Sequence, residues 1–320
     1  MTIVNRYPGV RIGLDIGGTK IAGIARADDG AILADVRQPT GIGGDAVIAG
    51  ILDATRALRD QLPGSDIRSI GIGIPGLVDA SAGRVLHAVN LGVESLDIAA
   101  QVQRALDLQC FVENDVKAAA LGAASLRDDN TPIAYLNLGT GVAAGIVIDG
   151  RIWRGSRGIA GEIGHLSVDP QGRVCGCGQR GCIETMCGGG ALARAWAREV
   201  DLPVKDILDA ADAGDPTATV LRDDLFRGVA AAVRALVLSV DVESVVIGGG
   251  LTALAERLEP GIRTALRADA ATSPFLRSLH LDERIEMLPA DSPVAAIGAA
   301  LLGSAPADTT ALDKEIVPHG

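Results

Sequence analysis

Five cysteines occur in 320 residues, and three of them crowd into the stretch CGCGQRGCIE. Cys175, Cys177 and Cys182 are spaced C-x-C-x4-C, with His165 ten residues upstream of the first. Thiolate and imidazole are zinc's preferred donors, and a Cys3His set is one of its closed tetrahedral forms. Gly176, Gly178 and Gly181 let the chain turn tightly enough for three sulfurs to face one ion. Three small core residues would be the plainer explanation, but the surrounding loop is polar. Cys110 and Cys187 stand alone and read as small core residues. A second constellation is acidic. In CFVENDVKAAALGAA, Asn114 and Asp115 fall where a short strand gives way to a helix. One of them suffices as the N-cap. The other projects into a cleft, where an aspartate can accept the proton of a substrate hydroxyl as a phosphoryl group arrives. Glu162 and His165, three apart in AGEIGHLS, and Glu184 at the end of the cysteine loop suit hydrogen bonds to several hydroxyls.

These groups need elements to hold them. Residues 10–25 read VRIGLDIGGTKIAGIA: alternating apolar positions, a glycine turn, then a second apolar run. That pattern predicts a hairpin. Backbone N–H groups at such a turn (Gly17, Gly18, Thr19, Lys20) make a concavity for phosphate, and Asp15 at the strand end can approach Mg2+ through water. Residues 133–148, IAYLNLGTGVAAGIVI, repeat the device with the turn Gly139, Thr140, Gly141. An offset of 122 aligns Asp15 with Asn137, Gly17 with Gly139, Gly23 with Gly145 and Ile24 with Ile146. The repeat predicts two related domains, each offering a glycine turn to a shared cleft. A third cluster, Gly248, Gly249 and Gly250, follows a buried strand at Val245–Ile247, the kind of strand end where ligands bind in open α/β sheets. Helices are expected from about Asp45 to Leu62, from about Asp215, and from Asp291 to Leu302. Strands alternating with helices give an α/β class. Gly71, Gly73 and Gly76 spell G-x-G-x-x-G, but Pro75 and an apolar loop follow rather than a helix, so a dinucleotide site is rejected.

Composition narrows the function. A chain of this length exceeds one comfortable core. The net charge of −11 and 2% aromatic content speak against nucleic-acid binding. No apolar run approaches the roughly 20 residues of a membrane span, and the N-terminus lacks a signal-peptide layout. A cytoplasmic location is the expectation, and reduced thiols there favour metal over disulfides.

DIGGTK, ENDVKAAALG, LNLGTGVAAGIVIDG, GIAGEIGH and CGCGQRGCIE occur in this order across residues 11–300. Together they resemble the ROK family of bacterial glucokinases, N-acetylhexosamine kinases and sugar-responsive repressors. The resemblance implies an actin-like, ribonuclease-H-like fold with two domains hinged over ATP and sugar. Their bounds would be residues 1–118 with about 291–320, and 119–290 carrying the zinc loop. It implies phosphoryl transfer from Mg-ATP to a sugar hydroxyl, usually O6, with Asp115 as base. Asn114, Glu162, His165 and Glu184 match sugar positions, with Gly76 and Asn90 opposite. Gly17–Thr19 and Gly139–Gly141 match phosphate loops, and Gly248–Gly250 the adenosine side. His165, Cys175, Cys177 and Cys182 match structural zinc ligands, and a homodimer is implied. Two departures stand out: Leu91-Gly92 follows Asn90 where a proline-glycine is common, and Ala143-Ala144 replace glycines. A repressor of the same family would need a DNA-binding domain, and only about ten residues precede Arg11. A non-catalytic sugar-binding protein is opposed by Asp115 and both turns.

Overall fold

The computed structural model describes residues 9–304. The first half carries β1 (Val10–Ile16), β2 (Lys20–Arg26), β3 (Ile32–Pro39), α1 (Gly44–Asp60), β4 (Ile67–Ile74), a small meander of β5 (Leu77–Asp79), β6 (Arg84–His87) and β7 (Leu96–Asp97), then α2 (Ile98–Leu106), β8 (Gln109–Asn114) and α3 (Asp115–Ala124). The second half carries β9 (Ile133–Leu138), β10 (Val142–Ile148), β11 (Arg151–Ile152), α4 (Ile183–Cys187), α5 (Gly189–Trp196), α6 (Pro203–Asp212), α7 (Pro216–Val240), β12 (Ser244–Gly248), α8 (Ala255–Ala270), α9 (Pro274–Ser278), β13 (Ile285–Met287) and α10 (Val294–Leu301). The last helix starts at Val294, later than the sequence suggested, because Pro293 stands just outside it as the cap. No helix among the described residues is long and apolar enough to cross a membrane.

Two five-stranded sheets share one strand order, β3-β2-β1-β4-β8 and β11-β10-β9-β12-β13. In each, the first three strands run antiparallel and the rest join in parallel. The repeat is therefore a repeat of topology. Its register needs one correction. Between the paired residues Ile16 and Ile21 the first turn holds four residues, Gly17 to Lys20; between Leu138 and Val142 the second holds three, Gly139 to Gly141. The offset of 122 holds before the turn and falls to 121 after it. Gly23, paired with Leu14, corresponds to Ala144, paired with Leu136, and not to Gly145. The faces agree: a Cβ on Gly23 would meet Leu58 of α1, while one on Gly145 would lie 2.6 Å from the Val116 carbonyl of α3.

The sheets are joined by an exchange of helices. The chain leaves β8 of the first sheet into α3, which packs on β9 and β10 of the second. It leaves β13 of the second into α10, which packs on β1, β4 and β2 of the first. The two helices pack on each other. Alanine and glycine allow this closeness. A Cβ on Gly298 would lie 1.7 Å from the Ala118 carbonyl, and one on Gly122 would lie 1.9 Å from that of Val294. The rejected G-x-G pair has its explanation here. Gly71 backs onto the Ala299 carbonyl, and Gly73 makes room for the start of α3 beside Asp115 and Ala118. Around this seam lie two larger apolar cores, one under each sheet.

Candidate active site

Asp115 is the first residue of α3, and Asn114 is the cap. The Asn114 Oδ1 accepts from the N–H groups of Val116 and Lys117 at 3.1 and 3.2 Å. Its Nδ2 donates to the Gly76 carbonyl at 3.2 Å. Asn114 is thus largely committed to holding the helix start against the Gly76 turn, whose φ of 103° demands glycine. Asp115 is left to face the seam. Burial raises its carboxyl to about 6, with a smaller push from Glu162, against the pull of its hydrogen bond from Val116 N–H.

A cavity of 490 Å3 opens at that seam, lined by Asp15, Lys20, Asp115, Tyr135, Asn137 and Gly249 among others. Asp15 and Asn137 occupy equivalent places, each beside a glycine of the adjacent parallel strand, Gly73 and Gly248 respectively. Burial, then the Asp115 charge, lifts the Asp15 carboxyl to about 7, while Lys20 pulls it back. Oxygen donors and repelling carboxylates suit a hard cation such as Mg2+, which would relieve that repulsion. The two turns are closed by Gly17 N–H to Lys20 O and Gly139 N–H to Gly141 O. Gly18 and Thr19 are exposed.

Behind the second turn lies another cavity, of 410 Å3, with walls from Thr140, Gly189, Gly190, Leu202, Val204 and Leu254. Gly250 reaches this cavity, whereas Gly248 lies under the Tyr135 ring and Gly249 sits against Asn137 and Leu138. The glycines opening α5 escaped the sequence reading. Gly189 and Gly190 donate to the carbonyls of Gly139 and Thr140, both at 2.9 Å, so α5 buttresses the second turn. The run CGGGALARAW, glycines opening a helical stretch, was the available signal. Tyr135 was missed too. It is buried at 4% exposure, and burial with the Asp15 and Asp115 charges raises its hydroxyl above the usual value.

On the other side, Asn90 sits in a short 3-10 turn, Val89–Leu91, next to Gly18, and Gly92 ends that turn at a φ of 65°. Glycine at this position supplies the bend. Glu162 is exposed on a segment pressed onto β10: a Cβ on Gly161 would lie 1.8 Å from the Ala144 carbonyl, and one on Gly164 2.0 Å from that of Val142. Glu184 is placed differently from Glu162. Its Oε2 accepts from Val142 N–H at 3.1 Å, beside Gly141, so it ties the cysteine loop to the second turn.

His165, Cys175, Cys177 and Cys182 come together, a donor atom of each within 4.8 Å of the others. Sγ of Cys177 lies 3.7 Å from Sγ of Cys182, and Sγ of Cys175 lies 3.7 Å from Nδ1 of His165. Sulfurs on a tetrahedral zinc with bonds of about 2.3 Å stand about 3.8 Å apart, so the donor set fits that ion. The His165 Nδ1 faces the cluster, which leaves Nε2 for another partner. Gln179 donates to Cys177 Sγ at 3.4 Å and to the His165 carbonyl at 3.2 Å, fixing both around the cluster. Cys182 caps α4, whose first turn carries Glu184. Cys110 and Cys187 are buried apart from the cluster, as expected.

Known proteins agree with this architecture. The ROK family model matches residues 11–303. A glucokinase of Halalkalibacterium halodurans is 33% identical over 285 residues, covering 81% of this chain and 86% of that protein. An N-acetylmannosamine kinase of Yersinia pseudotuberculosis is 32% identical over 249 residues, covering 76% and 83%. The crystal structure of a ROK family glucokinase from Streptomyces griseus in complex with glucose and AMPPNP superposes with a TM-score of 0.74 at 30% identity, covering 92% of this chain and 99% of that one. With the duplicated sheets, exchanged helices and ordered motifs, these matches establish that the chain belongs to the ROK family and has the actin-like ATPase fold.

Proposed function

We propose that the protein is an ATP-dependent sugar kinase that transfers the γ-phosphate to the 6-hydroxyl of glucose or an N-acetylhexosamine. One observation carries the reading: an aspartate whose carboxyl is raised to about 6 stands at a helix start, in a cavity that also reaches the first glycine turn through Lys20. Near neutral pH it is ionised yet basic enough to take a proton from an alcohol. The cavity behind Thr140, Gly189 and Gly190 suits adenosine, with the turns at Gly17–Thr19 and Gly139–Gly141 holding the phosphates. The sugar lies toward Gly76, Asn90, Glu162 and His165, with Asn114 and Glu184 fixing the walls. Asp115 accepts the hydroxyl proton late in transfer. Lys20 offers a positive charge to the phosphates. Asp15 would hold Mg2+ through water, and the ion would spread the charge of the transferring group.

In the same reading His165, Cys175, Cys177 and Cys182 hold a structural zinc, which orders the wall carrying Glu162 and Glu184. The proposed domains, residues 1–118 with about 291–320 and residues 119–290, close over both substrates and exclude water; the ends of the first lie outside the described residues. The protein is proposed to work as a cytoplasmic homodimer. Among relatives, names divide between glucose and N-acetylmannosamine. A coupled ADP-release assay over glucose, mannose, N-acetylglucosamine and N-acetylmannosamine decides the matter. Turnover with at least one hexose is expected. ATP hydrolysis that no sugar stimulates would sink the proposal.

A further inference from the structure

Two buried charges flank Asn114 and Asp115. Glu113, just before Asn114, has a side chain only 3% exposed. Lys117, four residues on, is also buried. A carboxylate or ammonium is costly to bury unless paired, and apolar residues would fill the same space more cheaply. Both charges reach a single loop. The Glu113 Oε2 accepts from Arg154 Nε at 2.6 Å, and its Oε1 accepts from Asn114 N–H at 2.9 Å. Lys117 Nζ donates to the Gly158 carbonyl. Residues four apart across the start of α3 thus bind residues four apart in the loop after β11.

Location gives these contacts their meaning. Glu113 is the last residue but one of β8, opposite Gly73, where the chain crosses from the first sheet to a helix packed on the second. Arg154 follows the edge strand of the second sheet. The loop after β11 runs on to Gly161, whose carbonyl accepts from Ala144 N–H at 2.7 Å, and then to Glu162 and His165. One end of this segment is therefore pinned to Glu113, just before Asn114 and Asp115. The other carries the exposed carboxylate and the metal-facing imidazole.

We propose that Glu113 and Arg154, backed by Lys117, are positioning residues: they fix the distance between the Asp115 carboxylate and the sugar-contacting segment 154–165. The claim rests on the kinase reading for its functional consequence. The pair holds the acceptor hydroxyl over Asp115 and is indifferent to the nucleotide, whose cavity lies on the other side of the second turn.

Two variants and two measurements test this. Glu113→Gln keeps an acceptor for Asn114 N–H but loses the ion pair. In it, the KM for the acceptor, measured with glucose and with N-acetylmannosamine, should rise tenfold or more. The KM for ATP should change less than twofold. Because Glu113→Gln takes the Glu113 carboxylate away from the Arg154 guanidinium, the double variant Glu113→Gln with Arg154→Met removes both charges of this pair. It should fold normally and still show the raised acceptor KM, whereas a pair serving stability alone would give back the wild-type value and overturn the proposal. Amide hydrogen exchange of the substrate-free protein is the second measurement. Exchange across 154–165 should quicken in Glu113→Gln while the strands of both sheets stay unchanged. Unchanged exchange in that segment overturns the proposal even if the wild type phosphorylates no hexose, so the two readings fail separately.

Discussion

Asp115 serves two ends that oppose each other. Its carboxyl is raised from 3.8 to about 6, chiefly by burial, so it binds its proton more tightly in the folded chain than in the unfolded one. The stability that this supplies is present below the ordinary aspartate range and is lost as pH rises through about 6. At one pKa unit per about 1.4 kcal/mol, the ionised group costs up to about 3 kcal/mol at neutral pH. Asp115→Asn removes that cost together with the proposed base. Turnover is expected to fall by about 10^2 to 10^4 while sugar binding persists, and the melting temperature at pH 8 should exceed that of the wild type by at least about 2 °C. A variant melting below the wild type, or one with near-normal kcat, would contradict the role. The same ionisation shapes the rate. The logarithm of kcat/KM for the acceptor, which reports the free enzyme, should climb with unit slope to about pH 6 and then level, and that limb should vanish from the residual activity of Asp115→Asn.

At the scale of elements, two devices hold the site. The first is the crossing of α3 and α10, where backbone touches backbone. Gly298→Ala would drive a Cβ to 1.7 Å from the Ala118 carbonyl. Backbone atoms cannot step aside as a flexible side chain can, so a loss of at least about 3 kcal/mol in denaturant unfolding is expected, with Asp115 displaced along with its helix. The second device is the cysteine loop, whose α4 sends Glu184 to Val142 N–H. Metal analysis should find one zinc per chain in the wild type. Cys177→Ser should lose it and weaken sugar affinity at least tenfold, since metal binding of about 10 kcal/mol is what orders such loops. Full sugar affinity without metal would separate the loop from the site.

At the scale of the whole molecule, two sheets of one topology meet along helices that each has lent the other, so the proposed closure would turn about that exchange. Small-angle scattering should show a smaller radius of gyration with glucose and a non-hydrolysable ATP analogue than with either alone; no change would count against closure. Much of this was legible in the chain. Strand alternation, glycine turns and the C-x-C-x4-C spacing act over a few residues, and sequence neighbours alone determine them. Asp115, the two turns and the clustered residues His165, Cys175, Cys177 and Cys182 could be singled out as candidates because their chemistry is local or carried by recognisable strings. The register slip after the first turn was not legible, because a lost turn residue shifts which face each later side chain takes while leaving the apolar pattern intact. Nor were the partners of Glu113, Lys117 and Tyr135, or the reason for Gly71 and Gly73. Sequence by itself determined which residues can act and which strands and helices form. Only the tertiary structure decided which of them meet, because burial, charge repulsion and backbone contact arise between segments tens to hundreds of residues apart, where no periodicity records them.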